Sequence, residues 1–176
     1  MLNYDYGREV KYDILKESSI DISLIEDFSC GNEQIDIEIK NRIINGISEY
    51  VVDTESNKLI AYINYEASGL FLKHQKEQIT KSALKINLFA LDEEYQHLVY
   101  DEYDEDFKLS DKVFCDFLKR FRDISDNTLF FEYIILYSVP KAVSFYNRNG
   151  FKSFIEYMDK EKYRFLDGCT PMYIEI

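Results

Sequence analysis

Two short apolar runs, KINLFAL (residues 85–91) and EYIILY (132–137), stand on either side of one amphipathic stretch, and this alternation constrains the fold more than any other feature. Each run has strand length, and the second is rich in the β-branched and aromatic residues that fit a pleated surface. Between them, residues 110–124 set Val113, Phe114, Phe117, Leu118, Phe121 and Ile124 along one side, the spacing of a helix that buries a single face. Ser110 is placed to cap that helix and Asp111 suits its first turn.

The flanking segments extend the pattern. Residues 32–47 read as a helix capped by Asn32, with Ile35, Ile39, Ile43, Ile44 and Ile47 on one face; the alternation of Ile35, Ile37 and Ile39 also suits a strand. EYVVD (49–53) and KLIAYINY (58–65) surround the polar Thr54-Glu55-Ser56-Asn57 and read as a hairpin. After the second run, Ser138 is placed to cap a short helix with Pro140 in its first turn and Gly150 past its end. FKSFIEY (151–157) and TPMYIEI (170–176) read as two closing strands. The order predicts an α/β (α+β) fold, a mixed central sheet flanked by helices. With no internal repeat and no Pro/Gly/Ser-rich linker, residues 1–176 read as a single domain.

Composition narrows the function classes. At 46% hydrophobic residues the chain carries enough apolar material for a packed core, so it is not a disordered acidic tail. A net charge of -12 argues against nucleic acid as a partner, because phosphate contacts are made by clustered Lys and Arg. Cys30, Cys115 and Cys169 are an odd number at wide spacing, and His74 and His97 are the only histidines. Neither a disulfide framework nor a metal site is expected, and a reducing, cytoplasmic location fits. No signal peptide and no membrane span are expected, since the N-terminus is polar and no apolar run approaches about 18 residues.

Three blocks carry a family resemblance. IILYSVPKAVSFYNRNGF (134–151) contains F-Y-x-x-x-G-F after a strand and a short helix; NLFALDEEYQ (87–96) continues the earlier apolar run; DFSCGN (27–32) precedes the first helix. Together they resemble the GCN5-related N-acetyltransferases, the last block being similar to the opening found in the branch that includes tRNA-acetylating toxins. The resemblance implies that strands four and five splay apart and that the pantetheine arm of acetyl-CoA pairs with the backbone of strand four, by position Phe89, Ala90 and Leu91. It also implies a turn, R/Q-x-x-G-x-G/A, whose amides wrap the pyrophosphate at a helix N-terminus. Here Gln96 opens that motif, yet no glycine follows until Gly150. Residues 92–106 instead hold eight Asp or Glu and neither Lys nor Arg, and are expected to form an exposed loop. A replacement for the glycines is offered by the helix start behind them, with Ser110, Lys112 and Lys108; capping and solvation account for the same residues equally well.

Acetyl transfer to an amine needs a proton for the departing thiolate. The resemblance gives that role to Tyr146, whose phenol, of pKa about 10, is protonated at neutral pH; the competing reading is a packed core tyrosine. Ser138 matches a position that contacts the cofactor in relatives, and it serves equally as a helix cap. Glu93, Glu94 and Glu132 lie at strand ends, but exposed carboxylates are poor bases for an ammonium, which leaves water. Cys30 and Cys115 lack a histidine partner in sequence and read as small apolar fillers. The expected activity is acetyl-CoA-dependent N-acetylation of a small-molecule or protein amine, the acidic chain favouring a cationic acceptor. The alternatives are a catalytically silent binding module of the same fold and a toxin of a toxin–antitoxin pair. The resemblance also admits a homodimer.

Overall fold

The computed structural model describes residues 10–74, 77–101, 104–158 and 166–176. A seven-stranded mixed sheet has the order β1-β2-β3-β4-β7-β9-β8, with β1 Tyr12–Lys16, β2 Ile47–Asp53, β3 Leu59–His74, β4 Glu77–Leu91, β7 Tyr133–Ser138, β8 Lys152–Ser153 and β9 Thr170–Glu175. A separate hairpin joins β5 (Val99–Asp101) to β6 (Asp104–Lys108). The helices are α1 Ser23–Glu26, α2 Glu33–Lys40, α3 Leu109–Asn127 and α4 Val143–Arg148. The sheet is mixed because β4 and β7 run parallel, whereas β1–β2, β7–β9 and β8–β9 are antiparallel. Among the described residues, no helix is long and apolar enough to cross a membrane.

Contacts group the chain into two compact units, residues 1–64 with 88–116, and residues 65–87 with 117–176, so that β3, β4 and α3 each contribute to both. In the first unit the core gathers Ile25, Phe28, Ile39, Tyr50, Leu59 and Tyr62, with Ile35 and Cys30 packed against it. Ile35 and Ile39 reach this core because they lie four apart on α2, and Asn32 caps that helix by accepting the Ile35 N–H at 3.3 Å. The helix stops at Lys40, seven residues short of the sequence expectation. Arg42 takes a left-handed φ of 52°, which ends the repeat and leaves Ile43 and Ile47 exposed. Turn chemistry closes the β2–β3 hairpin as expected: the buried Asp53 accepts the N–H groups of Glu55 and Ser56, and Asn57 takes φ 54°.

In the second unit Leu70, Ala83, Ile135 and Phe154 form a core against which Tyr133, Met158 and Tyr173 pack. Phe117 and Phe121 of α3 stack at 6.3 Å, and Tyr65 meets Phe121 edge-on at 4.8 Å. Burying rings of this size stabilises by roughly 1.5–3 kcal/mol each, which is why the helix pattern of residues 110–124 was so plain. The β4–β7 ladder runs from Ala83 opposite Tyr133 to Ile86 opposite Leu136. Beyond it β4 continues to Leu91, while β7 pairs onward with β9 as far as Ser138 opposite Thr170. The β4–β7 ladder thus stops at Ile86 opposite Leu136, before either strand ends.

Two expectations are corrected here. FKSFIEY is not one strand: only Lys152–Ser153 pair with β9, and Ile155–Tyr157 form a turn of 3-10 helix. The acidic stretch is not simply a loop either, because Val99 pairs with Lys108 and Asp101 with Asp104, and the rings of Tyr100 and Phe107 meet edge-on at 6.0 Å. Residues 102 and 103 of that stretch lie outside the described residues.

Candidate functional site

The C-terminal end of β4 is fastened to the DFSCGN segment by a dense set of hydrogen bonds. Asp92 accepts the Ser29 N–H at 3.0 Å, and the Glu93 N–H returns to the Ser29 carbonyl at 2.9 Å. Gln96 donates through Nε2 to the carbonyls of both Cys30 and Leu91, each at 2.9 Å. Gly31 sits at φ 77°, a left-handed backbone that favours glycine, and a Cβ there would meet only the movable carboxylate of Glu93. Asp36 of α2 takes the Cys30 N–H at 2.8 Å and the Ser29 hydroxyl at 3.0 Å. Burial, reinforced by Asp36, pushes the Cys30 thiol up to about 11. It is therefore almost entirely protonated at neutral pH and not a nucleophile, in keeping with the packing role expected of it.

Asp92, one residue beyond β4, donates its N–H to Ile60 on β3 at 2.9 Å. The Ser82 carbonyl, an even number of residues earlier, accepts the Glu132 N–H on the β7 side at 3.0 Å, so the alternation of β4 is interrupted between Ser82 and Asp92. Phe89 packs its ring 5.0 Å from Phe114, and Ala90 and Leu91 are buried. Of the three residues named from the sequence, Leu91 has its carbonyl engaged by Gln96.

The start of α3 differs from expectation. The helix begins at Leu109, which places Ser110 inside the first turn instead of at its cap. The capping contact comes from Asp111, 3% exposed, whose carboxylate accepts the Lys108 N–H at 3.2 Å. Lys112 is not solvated: its ammonium pairs with Asp116, lies 3.4 Å from the Tyr12 hydroxyl, and stands over the rings of Tyr12 and Tyr100 at 5.7 and 5.8 Å. Burial, together with the hydrogen bond to Asp116, raises the Tyr12 phenol far above its ordinary value. An acid at the third position of a helix starting at Leu109 was visible in the sequence; the Tyr12 partnership, 100 residues away, was not.

In the second unit Ser138 is buried and donates to the Val139 carbonyl at 3.0 Å, so it caps no helix. The chain passes through a 3-10 turn at Pro140–Ala142 before α4. That helix closes on Gly150, φ 90°: the Phe151 N–H returns to the Tyr146 carbonyl at 3.0 Å and the Gly150 N–H to Asn147 at 3.1 Å, a Schellman pair. Tyr146 is 8% exposed, with the rings of Phe145 and Phe151 at 5.1 and 5.9 Å, and burial raises its phenol well above the ordinary range. Among the carboxylates weighed as bases, Glu132 is 2.7 Å from Lys81 and, in the first unit, Glu94 is 2.6 Å from Lys58. Glu93 is exposed. None stands desolvated and poised as a base.

No family model matches the sequence, and no curated protein is recognisably similar to it. Solved structures are similar. A bacterial toxin superposes with a TM-score of 0.70 at 19% identity, covering 95% of this chain and 92% of its own. KacTA in complex with DNA gives 0.64 at 14%, covering 94% and 93%. AtaTR bound with acetyl-CoA gives 0.63 at 12%, covering 95% and 94%, and AtaT is also solved with acetyl-methionyl-tRNAfMet. With such complexes known for proteins of this fold, net charge does not support excluding nucleic acid, and the distribution of charge along the chain weakens that argument further. The first unit holds 23 acidic and 8 basic side chains, whereas the second holds 10 and 13, so the excess of acid belongs to one unit alone. The likeness extends over nearly the whole chain, and with its mixed sheet and flanking helices this protein has the fold of those toxins, the GCN5-related N-acetyltransferase fold.

Proposed function

We propose that the protein transfers an acetyl group from acetyl-CoA to an amine. The observation that carries this reading is the F-Y-x-x-x-G-F block, which folds as α4 with Gly150 closing it and the Tyr146 hydroxyl buried. Support comes from the acetyl-CoA seen on AtaTR, a protein of the same fold. The backbone of Phe89 and Leu91 takes the pantetheine arm as an added strand, Ser138 lines the cofactor's path at the end of β7, and Tyr146 is the proton donor.

The acceptor ammonium first loses a proton to water, and the amine lone pair forms a C–N bond to the thioester carbonyl carbon. The intermediate collapses with cleavage of the C–S bond, the electron pair leaving on sulfur, and Tyr146 supplies that sulfur with a proton. The remaining proton on nitrogen returns to the phenolate, so the tyrosine ends as it began. A raised phenol is a weak acid against a thiolate near pKa 8.5. Proton donation from it therefore requires the sulfur to lie in the same desolvated surroundings, where a thiolate is likewise the disfavoured form.

A second reading is favoured by the basic balance of the second unit and by AtaT with its acetylated aminoacyl-tRNA: the amine is carried on nucleic acid, and the protein is a toxin of a toxin–antitoxin pair. A cytoplasmic location fits either reading, and a homodimer remains part of the proposal. Thermal unfolding tests cofactor use first. Acetyl-CoA at 100 times its dissociation constant adds about 2.7 kcal/mol, a midpoint rise of roughly 5–11 °C for a chain of this size. Thiol release from acetyl-CoA in the presence of polylysine or aminoacylated tRNA then separates the acceptors. A flat melting response at millimolar acetyl-CoA sinks the enzyme reading and leaves a binding module.

A further inference from the structure

Resting on the acetyl-transfer reading, we infer that this chain recognises its acyl donor through the thioester and pantetheine arm, the described residues of the turn between β4 and α3 building no site for the donor's pyrophosphate. Six amides of the turn are already engaged within the protein. Glu93 N–H donates to the Ser29 carbonyl at 2.9 Å, Glu94 N–H to the Asp92 carboxylate at 3.0 Å, and Tyr95 N–H to the Asp92 carbonyl at 3.0 Å. Leu98 N–H donates to Tyr95, Leu109 N–H to Leu98, and Lys108 N–H to Asp111. A phosphate-wrapping turn works by leaving such groups free to converge on the anion.

The positive groups nearby are engaged too. The N-terminus of α3 already carries its own buried carboxylate, Asp111, which accepts the Lys108 N–H and offsets the positive end of the helix. Lys112 is held by Asp116, Tyr12 and the Tyr100 ring, and the Gln96 amide is divided between two carbonyls. Around them the sequence sets eight acids in residues 92–106 without one Lys or Arg. Like charges repel with a strength that salt reduces over about 10 Å at 0.1 M. The sign of the salt effect therefore reports whether phosphate is attracted or merely tolerated.

The test is isothermal titration of the full chain with acetyl-CoA, S-acetylpantetheine and inorganic pyrophosphate, at 20 and 300 mM salt. The inference expects acetylpantetheine to bind within about tenfold of acetyl-CoA, pyrophosphate not to compete, and acetyl-CoA affinity to hold or rise with salt. Truncation that costs more than 100-fold, or acetyl-CoA affinity that falls steeply with salt, overturns it while leaving acetyl transfer standing. If neither thioester binds, the acetyl-transfer reading fails and this inference with it. Lys112→Ala supplies the residue-level check, since the ratio of the two affinities is read on one folded variant. That ratio is expected to stay unchanged; a tenfold loss for acetyl-CoA alone would show Lys112 to be a phosphate ligand and refute the inference.

Discussion

Replacing Gln96 by alanine removes a side chain that bonds both the DFSCGN segment and the end of β4. Its amide makes two hydrogen bonds of 2.9 Å, one to Cys30, 66 residues away in sequence, and one to Leu91. At about 1 kcal/mol net for each bond, Gln96→Ala is expected to lose roughly 2 kcal/mol. Water can reach these half-buried groups, so the loss stays below the penalty for two fully orphaned carbonyls. For a chain of this size that is roughly 4–8 °C in melting midpoint. Gln96→Glu sharpens the test, because a carboxylate cannot donate and would face two carbonyl oxygens. The folded state favours the protonated acid, so the folded pKa of the new Glu side chain is raised above its unfolded value of about 4.3. Its deficit relative to wild type is therefore smallest below that value and grows as pH rises through the folded pKa. Urea unfolding of the three proteins from pH 4 to 7 measures this directly. A Gln96→Ala protein within 0.5 kcal/mol of wild type, or a Gln96→Glu deficit that ignores pH, would refute the clamp.

Further outcomes follow from the same geometry. Tyr146→Phe keeps the ring between Phe145 and Phe151 and deletes the proton, so turnover should fall by about 10²- to 10⁴-fold with cofactor affinity little changed; an active but destabilised variant would return Tyr146 to a packing role. Cys30, with its thiol at about 11, should alkylate at pH 8 with only about one part in a thousand as thiolate, its rate rising tenfold per pH unit; mass spectrometry showing rapid modification at pH 8 would contradict the burial described. Asp36 is pushed upward by burial, yet the hydrogen bonds from Cys30 and Ser29 outweigh this and leave it below the ordinary carboxylate value. A lowered folded pKa contributes stability above the unfolded value that is lost as pH falls through the folded one, so Asp36→Asn should flatten the acid limb of the stability profile below about pH 4. An unchanged acid limb would show that Asp36 is not the group responsible.

What the sequence determined is what local repetition and local sterics decide. The apolar spacing of residues 110–124 became α3, and KINLFAL and EYIILY became the ends of β4 and most of β7. Asn32 capped α2, and Gly150 closed α4 because a left-handed residue was needed there. Each of these follows from a period or a φ angle that a few neighbouring residues set by themselves. The tertiary structure alone decided the fate of the polar groups. Ser110 lost the cap to Asp111, Lys112 was drawn to Tyr12 and Asp116, and Gln96 was spent on Cys30 and Leu91. The acidic stretch, written off as a loop for want of apolar residues, paired its own backbone in a hairpin. Net charge carries less than it promised for a related reason, since a sum over 176 residues conceals that the excess of acid lies in one unit. Apolar residues are placed by a force without direction, which periodicity reports faithfully, whereas a hydrogen bond or ion pair requires one partner at one distance and angle, and the fold brings that partner from anywhere in the chain.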